Sequence, residues 1–524
     1  MNNRNRRPGD LSEDVEDHSR DSCQDQTHRK LKNRHIQLIG IGGTIGTLLF
    51  VQIGSALTKG GPASLFLAFA VWCTFILAMN NCLAEMVTWM PISSPFARYA
   101  DRFVDPALGF ASGVNYFIYE ASIVPFEMVA FNLVIHYWTD EIPLSACIVF
   151  ILVCYASFNL FAVRFYGEME FWLGSGKIIL AIGLIIFTCI TMLGGNPLHD
   201  RYGFRNWDSS KVLGAPFAEY IETGNLGRFL GFLACLILAA ITVTGPEYVS
   251  MTAGEAEHPR RDMPKAFNSV FFRLTTFFLL GTLCVGTIVP YSDPDLRKAL
   301  SDARPGAGSS PYVIAMQHLN IKVLPDIVNA LILSSVFSAG NSYVYCGSRT
   351  LFGLALEGKA PKFLAKCNSS GVPVYCVGVM IAIGLLSFLQ VSNSSAVVLQ
   401  WFVQLETASQ VLNYAMISFS YIRFYNALKA QGISRDILPY KSPWQPFCAY
   451  YALTVTFIMA FVAGYIVFLP GQWEKTTFLF SYAMIGVCPA LYLFWKILKK
   501  TKWRDLEEID FFNKERAEID AYER

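Results

Sequence analysis

The chain of 524 residues is 53% hydrophobic and only 16% charged. With a mean hydropathy of +0.38, it departs from the balance of a soluble globular protein and reads as a chain whose solvent is the lipid bilayer. A formal charge of +2 and an isoelectric point near 7.9 supply no broad basic field, which argues against nucleic acid as a partner. The 13 cysteines stand singly, mostly inside apolar runs as at Cys73, Cys154, Cys189 and Cys284. No Cys or His spacing suggests a metal site or a disulfide framework, so neither a metal nor a cofactor is expected.

Residues 1–34 are polar and rich in Asn, Asp and Arg. They form the expected cytoplasmic N-terminal tail, without the apolar core of a cleaved signal peptide, so the first span is expected to target the chain. Then come about twelve apolar runs near the length that a helix needs to cross a bilayer. In order they are Ile36 to Leu57, Pro62 to Met86, Leu108 to Trp138, Ser145 to Ala162, Phe171 to Leu193, Phe229 to Val249, Phe271 to Val289, Leu324 to Val344, Val374 to Leu389, Val397 to Ile422, Ala449 to Leu469 and Thr477 to Ile497. An all-α polytopic membrane protein follows, with a transmembrane domain at 35–498. Short, alternating barrel strands do not fit these runs.

Basic residues set the orientation. Arg29 to Arg34, Arg98 and Arg102, Arg260 to Lys265, Lys359 to Lys366, Arg423 to Lys441 and Lys496 to Lys502 flank alternate ends of the spans, while most short loops between are poor in Lys and Arg. Both termini are therefore expected in the cytoplasm, and the charged, helix-prone end of the 499–524 tail is expected to be solvated, with regulatory docking as the alternative. Of two glycosylation sequons, Asn393-Ser394-Ser395 is expected outside and Asn368-Ser369-Ser370 inside.

Two spans carry interruptions. The first contains Gly40-Ile41-Gly42-Gly43-Thr44-Ile45-Gly46-Thr47 and the sixth Thr242-Val243-Thr244-Gly245-Pro246-Glu247. Glycine costs up to about 1 kcal/mol in a helix interior, and proline removes a backbone donor. The freed amides and carbonyls are tolerated beside a cavity or ligand. A close small-residue helix contact at Gly42 and Gly46 and a plain proline kink are the simpler alternatives. Spans one and six correspond if the chain is built from five-helix inverted repeats, and paired interruptions point to a mid-membrane transporter site.

Intramembrane acids and bases suggest coupling or gating. Glu120 and Glu127 lie seven apart on one face of the third span, Glu247 follows the sixth-span break, Glu406 lies in the tenth span, and Lys177 stands about a turn and a half into the fifth. Glu127 reads either as a titrating residue or as a static helix contact. Lys177 reads either as a functional charge or as a lysine snorkelling to the inner face.

The run Gly42-Gly43-Thr44-Ile45-Gly46-Thr47 resembles the first-span signature of the fungal amino-acid permeases, within the amino acid–polyamine–organocation superfamily. So do Glu85-Met86 to Pro91-Ile92-Ser93, Arg102 to Phe110, Gly113 to Tyr116, Tyr166-Gly167-Glu168 with Glu170-Phe171-Trp172, Gly254 to Arg261, and Ser338-Ala339-Gly340-Asn341-Ser342 leading to Ser348-Arg349-Thr350-Leu351. The likeness covers nearly all of Lys30 to Lys502. It implies a LeuT-like fold of inverted five-helix repeats with broken helices 1 and 6, and a carrier that imports amino acids across the plasma membrane by proton symport and alternating access. The substrate carboxylate would meet amides around Gly42, Thr44, Gly46 and Thr47, and its ammonium would meet carbonyls near Thr242, Val243 and Gly245.

Glu127 matches the acid of the family's Pro-x-Glu, and Glu247 matches a family glutamate, whereas Glu120 and Glu406 have no counterpart. In proton-coupled relatives a lysine on the fifth helix, like Lys177, resembles a replacement for sodium. Leu48 stands where the family usually has glycine, Pro246 replaces a threonine and Val114 a tryptophan, which leaves the choice of amino acid open. A permease-like amino-acid sensor without net transport is the alternative function. An enzyme is not expected, since no HExxH, GxSxG or P-loop pattern occurs.

Overall fold

The computed structural model describes residues 29–139, 141–160, 163–301, 310–391, 395–512 and 514–523. The expectations for residues 1–28 and for the sequon at Asn393 lie outside the described residues. The helices in chain order are α1 (Asn33–Gly42), α2 (Ile53–Trp89), α3 (Pro95–Phe103), α4 (Pro106–Ile135), α5 (Leu144–Leu160), α6 (Val163–Met192), α7 (Gly224–Thr242), α8 (Pro246–Met251) and α9 (Pro259–Arg273). There follow α10 (Leu280–Ile288), α11 (Pro294–Ser301), α12 (Pro311–His318), α13 (Leu324–Leu356), α14 (Val374–Gly384), α15 (Ser395–Ala430), α16 (Phe447–Val462), α17 (Lys475–Lys499) and α18 (Lys514–Tyr522). Wider π-turns at Leu48–Gln52 and Leu274–Leu279 lead into α2 and join α9 to α10.

Eight helical runs among the described residues are long and apolar enough to cross a membrane, and α5 and α16 are shorter apolar helices. One of the eight, Leu48–Trp89, holds the outer half of the first span and all of the second. They part at Gly61, whose φ of 78° interrupts the helix ahead of Pro62. Only glycine fits there, since a Cβ would lie 2.7 Å from the Ala218 amide nitrogen and the Pro216 carbonyl. The tenth expected span, α15, is long but carries Glu406, Thr407, Ser409, Gln410 and Asn413, all buried, on an inward face. The bundle is thus all-helical, and its centre is the third span: 83% of the apolar window of Pro106–Ile135 is buried, against 17% for Lys475–Lys499 at the rim. Outward-facing apolar side chains such as Phe150, Ile179, Phe457 and Phe494 suit contact with lipid tails.

Local chemistry fixes the helix ends. Asp105 caps α4 by accepting the Ala107 amide at 2.8 Å, with Pro106 in the first helical position, and it also takes the Lys496 ammonium from α17. Several of the family-like motifs meet one another. Glu255 pairs with Arg349 at 3.1 Å in a buried salt bridge, Tyr166 stacks on Tyr345 with centroids 4.3 Å apart, and Ser338 donates to Glu170.

Two helices begin earlier than their apolar runs. The fifth span starts at Val163 rather than Phe171 and the seventh at Pro259 rather than Phe271, where the polar Glu170 and Asp262 are buried and do not end a helix. Lys177 accordingly lies nearly four turns into α6, not a turn and a half.

The C-terminal segment also differs from the solvated end expected. Ile509, Phe511 and Ile519 are buried, and the Arg516 guanidinium lies 3.1 Å from the centroid of the Trp89 ring. Arg260 pairs with Asp520, its amide donates to Glu523 at 2.9 Å, and Gln431 at the end of α15 donates to the Leu506 and Ile509 carbonyls at 2.9 and 2.8 Å. Beside it, Lys30 and Leu31 give their amides to the Glu255 carbonyl at 2.9 Å each. The tail therefore lies docked across the ends of α2, α9 and α15.

Candidate functional site

The two interruptions meet. α1 ends at Gly42, the chain turns through Gly43 to Gly46, and helix resumes at Thr47. α7 ends at Thr242 and α8 begins at Pro246, with Gly245 between them at φ 150°. A Cβ on Gly245 would lie 3.5 Å from the Thr44 methyl, so the breaks face one another near the middle of their spans. Pro246 has no N–H to return to the Thr242 carbonyl four residues back, and the Gly245 carbonyl is met by the Val249 amide only at 3.4 Å.

The expected amides divide into two sets. Gly42 still belongs to α1, and the Thr44 amide donates to the Ile41 carbonyl at 3.1 Å while the Thr44 hydroxyl bonds to the Gly40 and Ile41 carbonyls at 3.2 and 3.0 Å. Gly42 and Thr44 thus close the first half-helix rather than offering free donors. Gly46 and Thr47 open the second half, at its positive end. There Glu127 takes the place that the sequence reading gave to a substrate carboxylate: Thr47 Oγ1 donates to Glu127 Oε2 at 2.7 Å, and the Thr47 amide also faces that carboxylate. Val243, read as offering its carbonyl, gives its amide to Ala239 at 2.9 Å, and Thr242 Oγ1 is buried without a partner among the described residues.

On the sixth span, Glu247 ties the break to α15. It accepts the Gly245 amide at 3.1 Å, Gln410 Nε2 at 2.7 Å and the Tyr414 hydroxyl at 2.8 Å. Tyr343 of α13 donates to the Gly43 carbonyl at 2.9 Å, and the Tyr248 ring packs so closely that a Cβ on Gly43 would lie 2.6 Å from it. Thr44, Thr47, Thr242, Val243, Glu120, Glu127 and Glu247 are all buried. The site is closed in this conformation.

Lys177 is 1% exposed, which rules out snorkelling to the inner face. It interacts with Glu170 and Glu127 and so belongs to the first break. Glu120 is equally buried, with the Tyr116 hydroxyl beside it and no closer hydrogen-bond donor among the described residues. Leu48 is half-buried, opens the π-turn and packs against the core.

Arg273 of α9 was missed by the sequence reading. Its NH2 donates to the Ala266 carbonyl at 3.3 Å, its NH1 lies where a Cβ on Gly40 would be 2.6 Å away, and its charge acts on Glu247. An arginine three residues into an apolar run is itself a signal of function. Gln410 and Tyr414 were missed as well, although polar residues spaced four apart along a span mark an inward face.

Broken, opposed half-helices around buried acids in a bundle of apolar spans mark a multi-pass membrane protein with the architecture of a transporter. The amino acid permease family model matches residues 35–508, and the chain belongs to that family. It is 49% identical to the general amino acid permease AGP2 of Saccharomyces cerevisiae, over 95% of this chain and 84% of the relative. It is 40% identical to the proline-specific permease of Emericella nidulans, over 96% and 90%, and 38% identical to the basic amino-acid permease of Saccharomyces cerevisiae, over 93% and 84%. The relatives are transporters rather than enzymes.

Proposed function

We propose that the protein is a secondary active transporter that imports amino acids across the plasma membrane by proton symport, cycling between outward- and inward-open states. The observation that carries this reading is the meeting of the two breaks, Thr44 against Gly245, with Glu127 on one and Glu247 on the other. The permease relatives support amino acids as cargo. Their printed names, ranging from general to proline-specific to basic, support no single one.

In this reading the α-carboxylate of the substrate binds the Gly46 and Thr47 end of the first break, beside Thr44 and the end of α1 at Gly42, and its ammonium meets the carbonyls of Thr242, Val243 and Gly245. Glu127 holds the Thr47 donors until substrate arrives and, with Lys177 close by, carries the transported proton. Glu247 acts as a gate by linking α8 to α15, so that the sixth span moves only when its bonds to Gln410 and Tyr414 are released. The transmembrane domain is assigned to 35–498, with 1–34 and 499–524 in the cytoplasm as the basic flanks require. Sugar on Asn368 would overturn that orientation.

Uptake of labelled amino acids into permease-deficient cells, with the external pH varied, tests the function. Accumulation that grows with external acidity is expected. Binding without net uptake would refute transport and support the sensor.

A further inference from the structure

Two buried acids at the site have no part in the coupling just described. Glu120 of α4 is 0% exposed and Glu406 of α15 is 1% exposed. Glu120 has the Tyr116 hydroxyl beside it and no closer hydrogen-bond donor among the described residues, and Oε1 of Glu406 has no donor among them. A carboxylate inside a membrane protein is costly unless something pairs with it. The nearby basic groups have other partners: Lys177 acts on Glu170 and Glu127, Arg273 on Glu247 and the Ala266 carbonyl, and Arg349 on Glu255. Neither acid belongs to the pattern by which the chain resembles the amino-acid permeases.

Their location relates them to the substrate. Glu120 precedes Glu127 by two turns on one face of α4, and Glu406 precedes Gln410, the donor to Glu247, by one turn of α15. Asn115 donates to the Ser409 carbonyl at 2.9 Å and so clamps α4 to α15 at this level. Glu120, Glu406 and Glu127 all lie near Tyr343, whose hydroxyl sits on the Gly43 carbonyl at the first break. Independently, other side chains on these walls are buried with unused polar atoms: Thr242 Oγ1, Gln410 Oε1, and both Asn413 side-chain atoms. Unsatisfied polar atoms around a closed site are what a polar ligand would satisfy.

We infer that the site recognises a second positive group on its substrate, the ammonium or guanidinium of a cationic amino-acid side chain, held between Glu120 and Glu406. The α-amino and carboxylate groups sit at the two breaks, and the side chain extends along the α4–α15 wall to the two acids. This inference rests on amino-acid transport and adds the substrate class to it.

The test is uptake of labelled lysine, arginine and alanine by the wild type, Glu120→Gln and Glu406→Gln at matched surface density. Gln keeps the size of the side chain and removes its charge. The wild type is expected to prefer lysine and arginine to alanine, and each variant to lower the lysine-to-alanine ratio of kcat/KM about tenfold, the loss expected for one charge-assisted contact. Alanine uptake without lysine or arginine uptake by the wild type overturns the inference and leaves the transport reading standing. An equal loss for all three substrates in both variants also overturns it, since it marks the acids as proton carriers. Uptake of no amino acid by the wild type removes the transport reading and this inference with it.

Discussion

A single methyl group added at Gly46 tests how tightly the first break is closed. A Cβ at this position would lie 3.0 Å from Glu127 Oε1 and 3.1 Å from the Ala339 Cβ. Glu127 is held by Thr47 at 2.7 Å, and Ala339 stands on α13, whose backbone is fixed by its own helix, so neither neighbour yields freely. Overpacking of this kind costs about 1–3 kcal/mol, a shift of roughly 5- to 150-fold in the population of the closed state. Gly183 on α6 is the control: a Cβ there meets nothing within 4 Å, and Gly→Ala in a helix stabilises by about 1 kcal/mol. Thermal unfolding of purified protein and labelled uptake at matched surface density read both effects. Gly46→Ala is expected to lower the unfolding midpoint and cut uptake severalfold, while Gly183→Ala leaves uptake intact and holds or raises the midpoint. Wild-type stability and uptake in Gly46→Ala would refute the close packing of Glu127 on the break.

Three further outcomes are expected. Glu85→Ala removes a buried carboxylate that accepts the Ser442 amide and hydroxyl at 2.8 Å each and pairs with Arg435; it should cost about 3–5 kcal/mol, seen as a large fall in folded yield and unfolding midpoint. Arg516→Ala removes the cation over Trp89, worth about 0.5–2 kcal/mol, and should speed proteolysis of the docked tail at residues 500–523 while uptake persists. Glu247→Gln keeps an oxygen acceptor for Gln410 and Tyr414 but loses the charge that acts on Arg273. It should slow turnover more than it weakens substrate binding, measured as kcat against KM.

The order of spans and the two breaks were legible in the sequence because glycine and proline mark backbone constraints wherever they stand. The partners of buried polar groups were not. Glu85 meets Arg435, and Glu255 meets Arg349, across separations that no local pattern encodes. The same holds for the tail: Ile509, Phe511 and Ile519 are sparse among charged residues, and only the surface offered by Trp89 and the end of α15 makes them a docking face. Lys177 was misjudged in depth because the polar start of α6 read as lying outside the span, whereas Gly167 packs on Leu31 and His35 and Glu170 accepts from Ser338. Sequence also does not tell which turn of the first break closes a helix. Thr44 closes α1, and Thr47 opens the next half.

Glu127→Gln decides whether Glu127 couples a proton to substrate movement at the first break, as proposed. The variant keeps an oxygen to accept from Thr47 but cannot titrate. In vesicles with an imposed pH gradient, acid outside, the wild type is expected to concentrate amino acid above its external level. Glu127→Gln should fail to do so, while exchanging labelled for unlabelled substrate at a reduced rate. Concentrative uptake by Glu127→Gln with the pH dependence of the wild type would contradict the account.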